Sequence, residues 1–123
     1  MASKQILIID DNPLMVTLIE LMLEHEGFEI VSAASGAAGV AAIEGRRPDL
    51  VLMDMVLPDT DGAALTRSLR KNPAYQDLKI LAFTSSISMG DDAGGWLALG
   101  FDGHLLKPFN VKAAIAQIRD LLV

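Results

Sequence analysis

Four apolar runs of this chain stop at side chains for which a packed core has no use. They are Asp10-Asp11, Asp54, Thr84 and Lys107. Carboxylates, a hydroxyl and an ammonium gathered at one place would suit phosphoryl transfer. The physical obstacle is repulsion. Two carboxylates about 4 Å apart repel by roughly 4 kcal/mol at an effective dielectric near 20, so three together require either a raised pKa or a cation. Lys107 supplies one positive charge, and a hard divalent ion bound by oxygen would supply the rest. Mg²⁺ fits best, because it is usually held by one or two carboxylates together with waters and phosphate oxygens. A carboxylate beside such an ion, a hydroxyl and a lysine can take a phosphoryl group as an acyl phosphate.

Gathering these residues requires a particular order of elements. Residues 6–9 are apolar at every position, as suits a strand buried on both faces, and the run stops at Asp10. Asn12 reads as a helix N-cap with Pro13 at the first helical position. Leu14, Leu18, Leu21 and Met22 then recur at helical spacing, and Gly27 ends the helix. Residues 28–33 form a second strand, and a short Ala-rich helix runs from Ser35 or Gly36 to about Glu44. After Pro48, residues 49–53 make a buried strand that ends at Asp54. A turn over 58–62 leads to a helix over 63–71 with Leu65 and Leu69 on one face. Residues 79–83 are a fourth strand, ending at Thr84. A helix is expected by position over 89–99, weakened by Gly90, Gly94 and Gly95 at about 1 kcal/mol each. Residues 103–106 form a short fifth strand before Lys107-Pro108. Val111, Ile115, Ile118 and Leu122 mark a final amphipathic helix. Strand and helix alternate five times. Right-handed crossovers on a parallel sheet then give a three-layer α/β sandwich, with residues 1–123 as one domain. The carboxyl ends of the strands form the ligand crevice of such sheets, so the polar residues converge there.

Asp10-Asp11, Asp54, Pro58, Asp61-Gly62, Thr84 and Lys107-Pro108 stand in the order and spacing of a response-regulator receiver domain, which the whole chain resembles. The resemblance implies a flavodoxin-like (βα)5 sandwich with strand order 2-1-3-4-5. It implies that Asp54 is the phosphoacceptor and that Asp10 and Asp11 hold Mg²⁺, joined by Asp54 and the backbone carbonyl of Val56. Thr84 would bond a phosphoryl oxygen and move on activation, Lys107 would pair with the phosphoryl group, and the Lys107-Pro108 bond would be cis. The implied partners are a histidine kinase or histidine phosphotransferase and an unknown downstream protein. That protein would be met on the fourth helix, fifth strand and fifth helix. Two departures stand out. His104 occupies the position where the family usually carries a Tyr or Phe rotamer switch, and three glycines interrupt the fourth helix. A switch that buries His104 favours the neutral ring, because a charged imidazolium resists burial.

Blander readings compete at each position. Asp10-Asp11 could merely cap a helix, although Asn12 alone suffices for that. Asp59-Thr60-Asp61-Gly62 hints at a calcium loop, but with Gly62 sixth, the first and twelfth positions fall on Leu57 and Ser68, and the reading fails. His25 is expected to be solvated near a helix end, and Trp96 to be packing. Of 123 residues, 51% are apolar and 21% charged, so the chain can bury a core. Ten Lys and Arg against sixteen Asp and Glu leave a net charge of −6, which disfavours general nucleic-acid or membrane-surface binding. The absence of Cys excludes disulfides and thiolate chemistry. The first residues are too short an apolar run for a signal or a membrane span, so a cytoplasmic domain is expected. Beside the signalling switch stand two alternatives. A small-molecule aspartyl-phosphate hydrolase would need a substrate pocket and cap. A flavin carrier of the same architecture would need a phosphate-binding loop where Asp10-Asp11 repel one.

Overall fold

A computed structural model describes residues 4–84, 98–106 and 110–122. Strands β1 (Gln5–Ile9), β2 (Glu29–Ala33), β3 (Leu50–Asp54), β4 (Lys79–Thr84) and β5 (Gly103–Leu106) form one parallel sheet in the order β2-β1-β3-β4-β5. This is the expected flavodoxin-like arrangement. The order turns back on itself at β1, which lies between β2 and β3. The crevice of such sheets opens at that reversal, beyond the carboxyl ends of the strands.

Helices α1 (Pro13–His25), α2 (Gly36–Gly45), α3 (Gly62–Arg70) and α4 (Val111–Leu122) cover the sheet, with a 3-10 turn at Pro73–Tyr75. The continuous apolar runs have the expected physical cause. Every residue of β1 and of β3 is buried, because alternate side chains feed two cores. Leu7, Ile9, Val51, Met53, Ile80 and Ala82 meet Ile43 of α2 and Leu65 and Leu69 of α3. Ile6, Ile8, Leu50, Leu52, Leu81 and Phe83 meet Ile19 and Leu23 of α1 and Ala114 and Ile118 of α4. Among the described residues no helix is long and apolar enough to cross a membrane.

Two helix faces differ from expectation. Leu14, Leu18 and Leu21 of α1 do not face the core; they are 79%, 57% and 65% exposed. Ile19 and Leu23 are buried instead, with Met15, Val16 and Met22 partly so. The cause is that α1 is apolar nearly all round, so several stripes compete and spacing alone does not choose between them. In α4 the small Ala114 takes the close contact with the sheet, and Val111 is left half exposed. The 3-10 turn, capped by the Asn72 side chain on the Ala74 N–H at 2.9 Å, carries no helical periodicity and was not expected. The expected helix over 89–99 falls almost wholly outside the described residues, as do Trp96 and the Lys107-Pro108 bond.

The strand ends opposite the crevice are clamped by one arginine. Arg70, the last residue of α3, donates from Nε to the Gly100 carbonyl at 2.9 Å. Its Nη1 donates to the carbonyls of Tyr75, Gln76 and Leu78 at 2.9, 3.2 and 2.7 Å. Its Nη2 meets Asp102 Oδ2 at 3.1 Å, and that oxygen also accepts the Ile80 N–H at 2.8 Å. One side chain thus ties α3 to the entries of β4 and β5. Replacing Arg70 by Met removes the guanidinium donor from these carbonyls and leaves Asp102 without its cation, and should cost about 3 kcal/mol. The same change at Arg46, whose ion pair with Glu29 is solvent-exposed, should cost under about 1 kcal/mol. Urea unfolding of the two variants checks this; equal losses would contradict the clamp.

Candidate functional site

β1 ends at Ile9, and the next N–H, that of Asp10, donates to the Ala33 carbonyl at 3.0 Å, pinning Asp10 to the end of β2. Its side chain is 2% exposed, and its Oδ1 accepts the Asn12 N–H at 2.9 Å, an Asx turn. Asn12 then caps α1 as expected, accepting from Leu14 and Met15 at 3.0 and 3.3 Å with Pro13 behind it. With the cap supplied by Asn12, helix capping does not account for the Asp11 side chain, which is exposed.

Asp54 is the last residue of β3 and is 8% exposed. Its Oδ1 accepts the Val56 N–H at 3.3 Å. The loop that follows closes on itself. Gly62 N–H donates to Met55 O at 3.0 Å, Leu57 N–H donates to Thr60 O at 3.1 Å, and Val56 bridges Asp61. Asp61 caps α3 through the Ala64 N–H at 2.7 Å. Gly62 is needed there for close approach, since a Cβ would stand 2.5 Å from the Asp54 carbonyl oxygen.

Asp10, Asp11 and Asp54 therefore meet. One carboxylate oxygen from each lies within 4.8 Å of the other two. Charges at that spacing repel by about 3–4 kcal/mol per pair at an effective dielectric of 20. An all-oxygen donor set of two buried carboxylates and one exposed carboxylate suits a hard divalent cation that keeps part of its water. The residues present fit Mg²⁺, with Asp10, Asp11 and Asp54 as candidate ligands.

The other expected residues fall at the same sheet edge as far as they are described. In the β3–β4 register Asp54 pairs with Phe83, so Thr84 ends β4 one residue beyond Asp54's partner. Thr84 pairs in turn with Leu106, the residue before Lys107; Lys107 itself lies outside the described residues. Val56 lies in the closed loop with its side chain exposed. His104 pairs with Ala82 on β5, is partly buried, and its carbonyl accepts from Gln117 Nε2 at 3.3 Å. His25 is exposed in the last turn of α1, where a helix dipole favours positive charge.

Asp59 is a residue that sequence reasoning weighed only as part of a calcium loop. Its Oδ1 accepts the Gly36 N–H at 2.8 Å and its Oδ2 the Ala37 N–H at 2.9 Å. The Ala37 bond, then the Gly36 bond, hold the Asp59 carboxyl below the usual carboxylate range. A depressed folded-state pKa means the contribution is present above the ordinary value of about 3.9 and fades as pH falls below it. No local pattern announces this contact, because its partners lie 22 and 23 residues away.

Residues 6–119 match the family model of the response regulator receiver domain. The chain is 33% identical over 118 residues to the probable transcriptional regulatory protein TcrX of Mycobacterium tuberculosis, covering 95% of this chain and 49% of that protein. It is 35% identical over 118 residues to the DNA-binding dual master transcriptional regulator RpaA of Synechocystis, covering 96% and 48%. The chain thus spans about half the length of these curated relatives. Among solved structures it resembles a putative response regulator from Chloroflexus aurantiacus, with TM-score 0.90, 29% identity and 98% of each chain covered. It also resembles the receiver domain of the sensor histidine kinase PA1611 of Pseudomonas aeruginosa, with TM-score 0.87, 32% identity and 98% of each chain covered. That structure holds a magnesium ion in its active-site cleft. The chain belongs to the receiver-domain family of two-component response regulators, which are signalling proteins.

The acidic cluster makes a signed prediction. Asp11→Asn removes like charge and replaces an anionic ligand oxygen by a neutral amide oxygen, so without cation the melting temperature should hold or rise, while Mg²⁺ affinity falls about tenfold. Thermal melts with and without Mg²⁺ test both arms. A lower melting temperature without metal, with the Mg²⁺-induced rise intact, would contradict the placement of Asp11.

Proposed function

We propose that this chain is a phosphorylation-controlled switch in which Asp54 accepts a phosphoryl group from a phosphohistidine of a histidine kinase or histidine phosphotransferase. The observation that carries the reading is the convergence of Asp10, Asp11 and Asp54 at the ends of neighbouring strands. A bound Mg²⁺, held by these carboxylates and the Val56 carbonyl, would offset negative charge on the transferring group. An Asp54 carboxylate oxygen attacks phosphorus, the phosphorus–nitrogen bond of the donor breaks, and the imidazole leaves. Burial of Asp54 in a largely apolar strand keeps its carboxylate fixed for in-line approach. Thr84 and Lys107 serve as the hydroxyl and ammonium that contact the new phosphoryl oxygens. The donor's carrier must cover the rim of this site. Leu14 lies in the first turn of α1, three residues from Asp11, and with Leu18 and Leu21 it offers an apolar surface for that contact.

The acyl phosphate adds charge and acceptor oxygens at the end of β3. Thr84 drawn toward them vacates space near His104, and the change reaches a downstream protein through residues 89–99, β5 and α4. The reading makes the chain a substrate of its donor and not an enzyme acting on small molecules. A flavin phosphate, by contrast, would meet the Asp10 and Asp11 carboxylates.

Incubation with acetyl phosphate and Mg²⁺, followed by intact mass spectrometry, should show one phosphoryl adduct. The adduct should be absent with EDTA and absent in Asp54→Asn. An adduct of the same extent in that variant would overturn the assignment.

A further inference from the structure

The first turn of α2 is capped from two sources. Ser35 does the local part, its Oγ accepting the Ala38 N–H at 3.1 Å and its carbonyl the Gly39 N–H at 2.9 Å. That leaves the Gly36 and Ala37 N–H groups, which a helix cannot satisfy internally. Both are taken by the Asp59 carboxylate, one oxygen each, at 2.8 and 2.9 Å. Gly36 supplies an independent sign of the same contact. A Cβ on it would stand 2.6 Å from Thr60 Cγ2 and 3.2 Å from Asp59 Oδ1. The tip of the β3–α3 loop thus sits on α2 through two consecutive residues.

We infer that Asp59 is a positioning residue for the acidic site. By clasping α2 it fixes the loop that leaves Asp54 and holds Val56 against β1, whose end leads into Asp10 and Asp11. The inference rests on the reading of that site as a Mg²⁺-dependent phosphoryl acceptor. The connection runs through close contacts at every step. α2 is seated on β1 where Gly39 meets Ile9, with room for no Cβ: one would lie 2.5 Å from Ile9 Cδ1. Ile9 is the residue before Asp10. At the other end, the loop's internal bonds between Met55 and Gly62, and between Leu57 and Thr60, keep it from absorbing a displacement of its tip. A shift at Asp59 therefore passes to Val56, three residues back, and to the Asp54 side chain that accepts the Val56 N–H. The contacts close a ring from Asp10 through Ile9, Gly39, α2, Asp59 and the loop to Asp54. Asp59 itself stands apart from the three acids that could share an ion.

A residue that only stabilised α2 would change the melting temperature and nothing else. The two roles separate in purified chain by calorimetric titration with Mg²⁺ at a temperature where each variant is folded. Asp59→Ala should weaken Mg²⁺ binding about tenfold, as loss of a supporting contact outside the ligand shell does. Asp59→Asn, which keeps one acceptor oxygen, should fall between it and the wild type. Gly36→Ala leaves every charge in place yet puts a methyl 2.6 Å from Thr60 Cγ2 and 3.2 Å from Asp59 Oδ1, crowding the clasp, so it too should weaken binding. Asn72→Ala, which removes a cap in the 3-10 turn, should lower the melting temperature and leave Mg²⁺ affinity unchanged. Wild-type affinity in both Asp59→Ala and Gly36→Ala would overturn the inference. Weakening in Asp59→Ala alone would overturn it as well, since that is the mark of lost charge and not of lost position. Absence of Mg²⁺ binding and of acetyl phosphate reactivity in the wild type would instead defeat the reading on which it rests.

Discussion

Like charge held at close range is the constraint on which the rest of the structure depends. Asp10 and Asp54 are nearly buried, Asp11 stands beside them, and all three end or directly follow β1 and β3. Carboxylates left to themselves would spread apart in water. They stay together because β1 and β3 are hydrogen-bonded neighbours, paired from Ile6↔Leu50 to Ile9↔Met53, and are apolar up to the residue before each acid. Sliding either strand by one residue would exchange its two core faces. The hydrophobic register thus fixes the electrostatic one.

The arginine clamp and the acidic cluster sit at opposite edges of the sheet. At the strand entries, Arg70 satisfies four carbonyls and pairs with Asp102. At the strand exits, bonds such as Asp10–Asn12, Asp61–Ala64 and Asp59–α2 shape loops more than they bury surface. Functional sites commonly carry arrangements that lower stability and are offset elsewhere in the fold. Here the offset is two apolar cores that run up to the acids and one arginine clamp at the far edge of the sheet. This division lets charge at the site change without loss of the fold.

Much of this was readable from residue types in order. Fully apolar runs reported strands buried on both faces, and the Asn12-Pro13 cap and the Ser35 or Gly36 start reported helix beginnings. The resemblance then supplied a strand order that the structure bears out. Periodicity misled on α1, because a helix apolar nearly all round offers several stripes, and packing chose Ile19 and Leu23 over Leu14, Leu18 and Leu21. In α4 closeness of approach favoured Ala114 over the larger Val111. The Asp59 clasp was not readable at all. It is a contact between residues more than twenty apart, and Asp59 carries no pattern that distinguishes it from a solvated turn acid.

The central claim is that the acidic cluster makes Asp54 a phosphoryl acceptor. The most direct test is chemical trapping of the product. Borohydride reduces an aspartyl phosphate to homoserine, so reduction after treatment with acetyl phosphate and Mg²⁺, followed by peptide mass mapping, reads out the modified residue. Homoserine at position 54, formed only with the cation present, is the result this account predicts. Phosphate retained on a serine, threonine or histidine, with Asp54 intact, would contradict it.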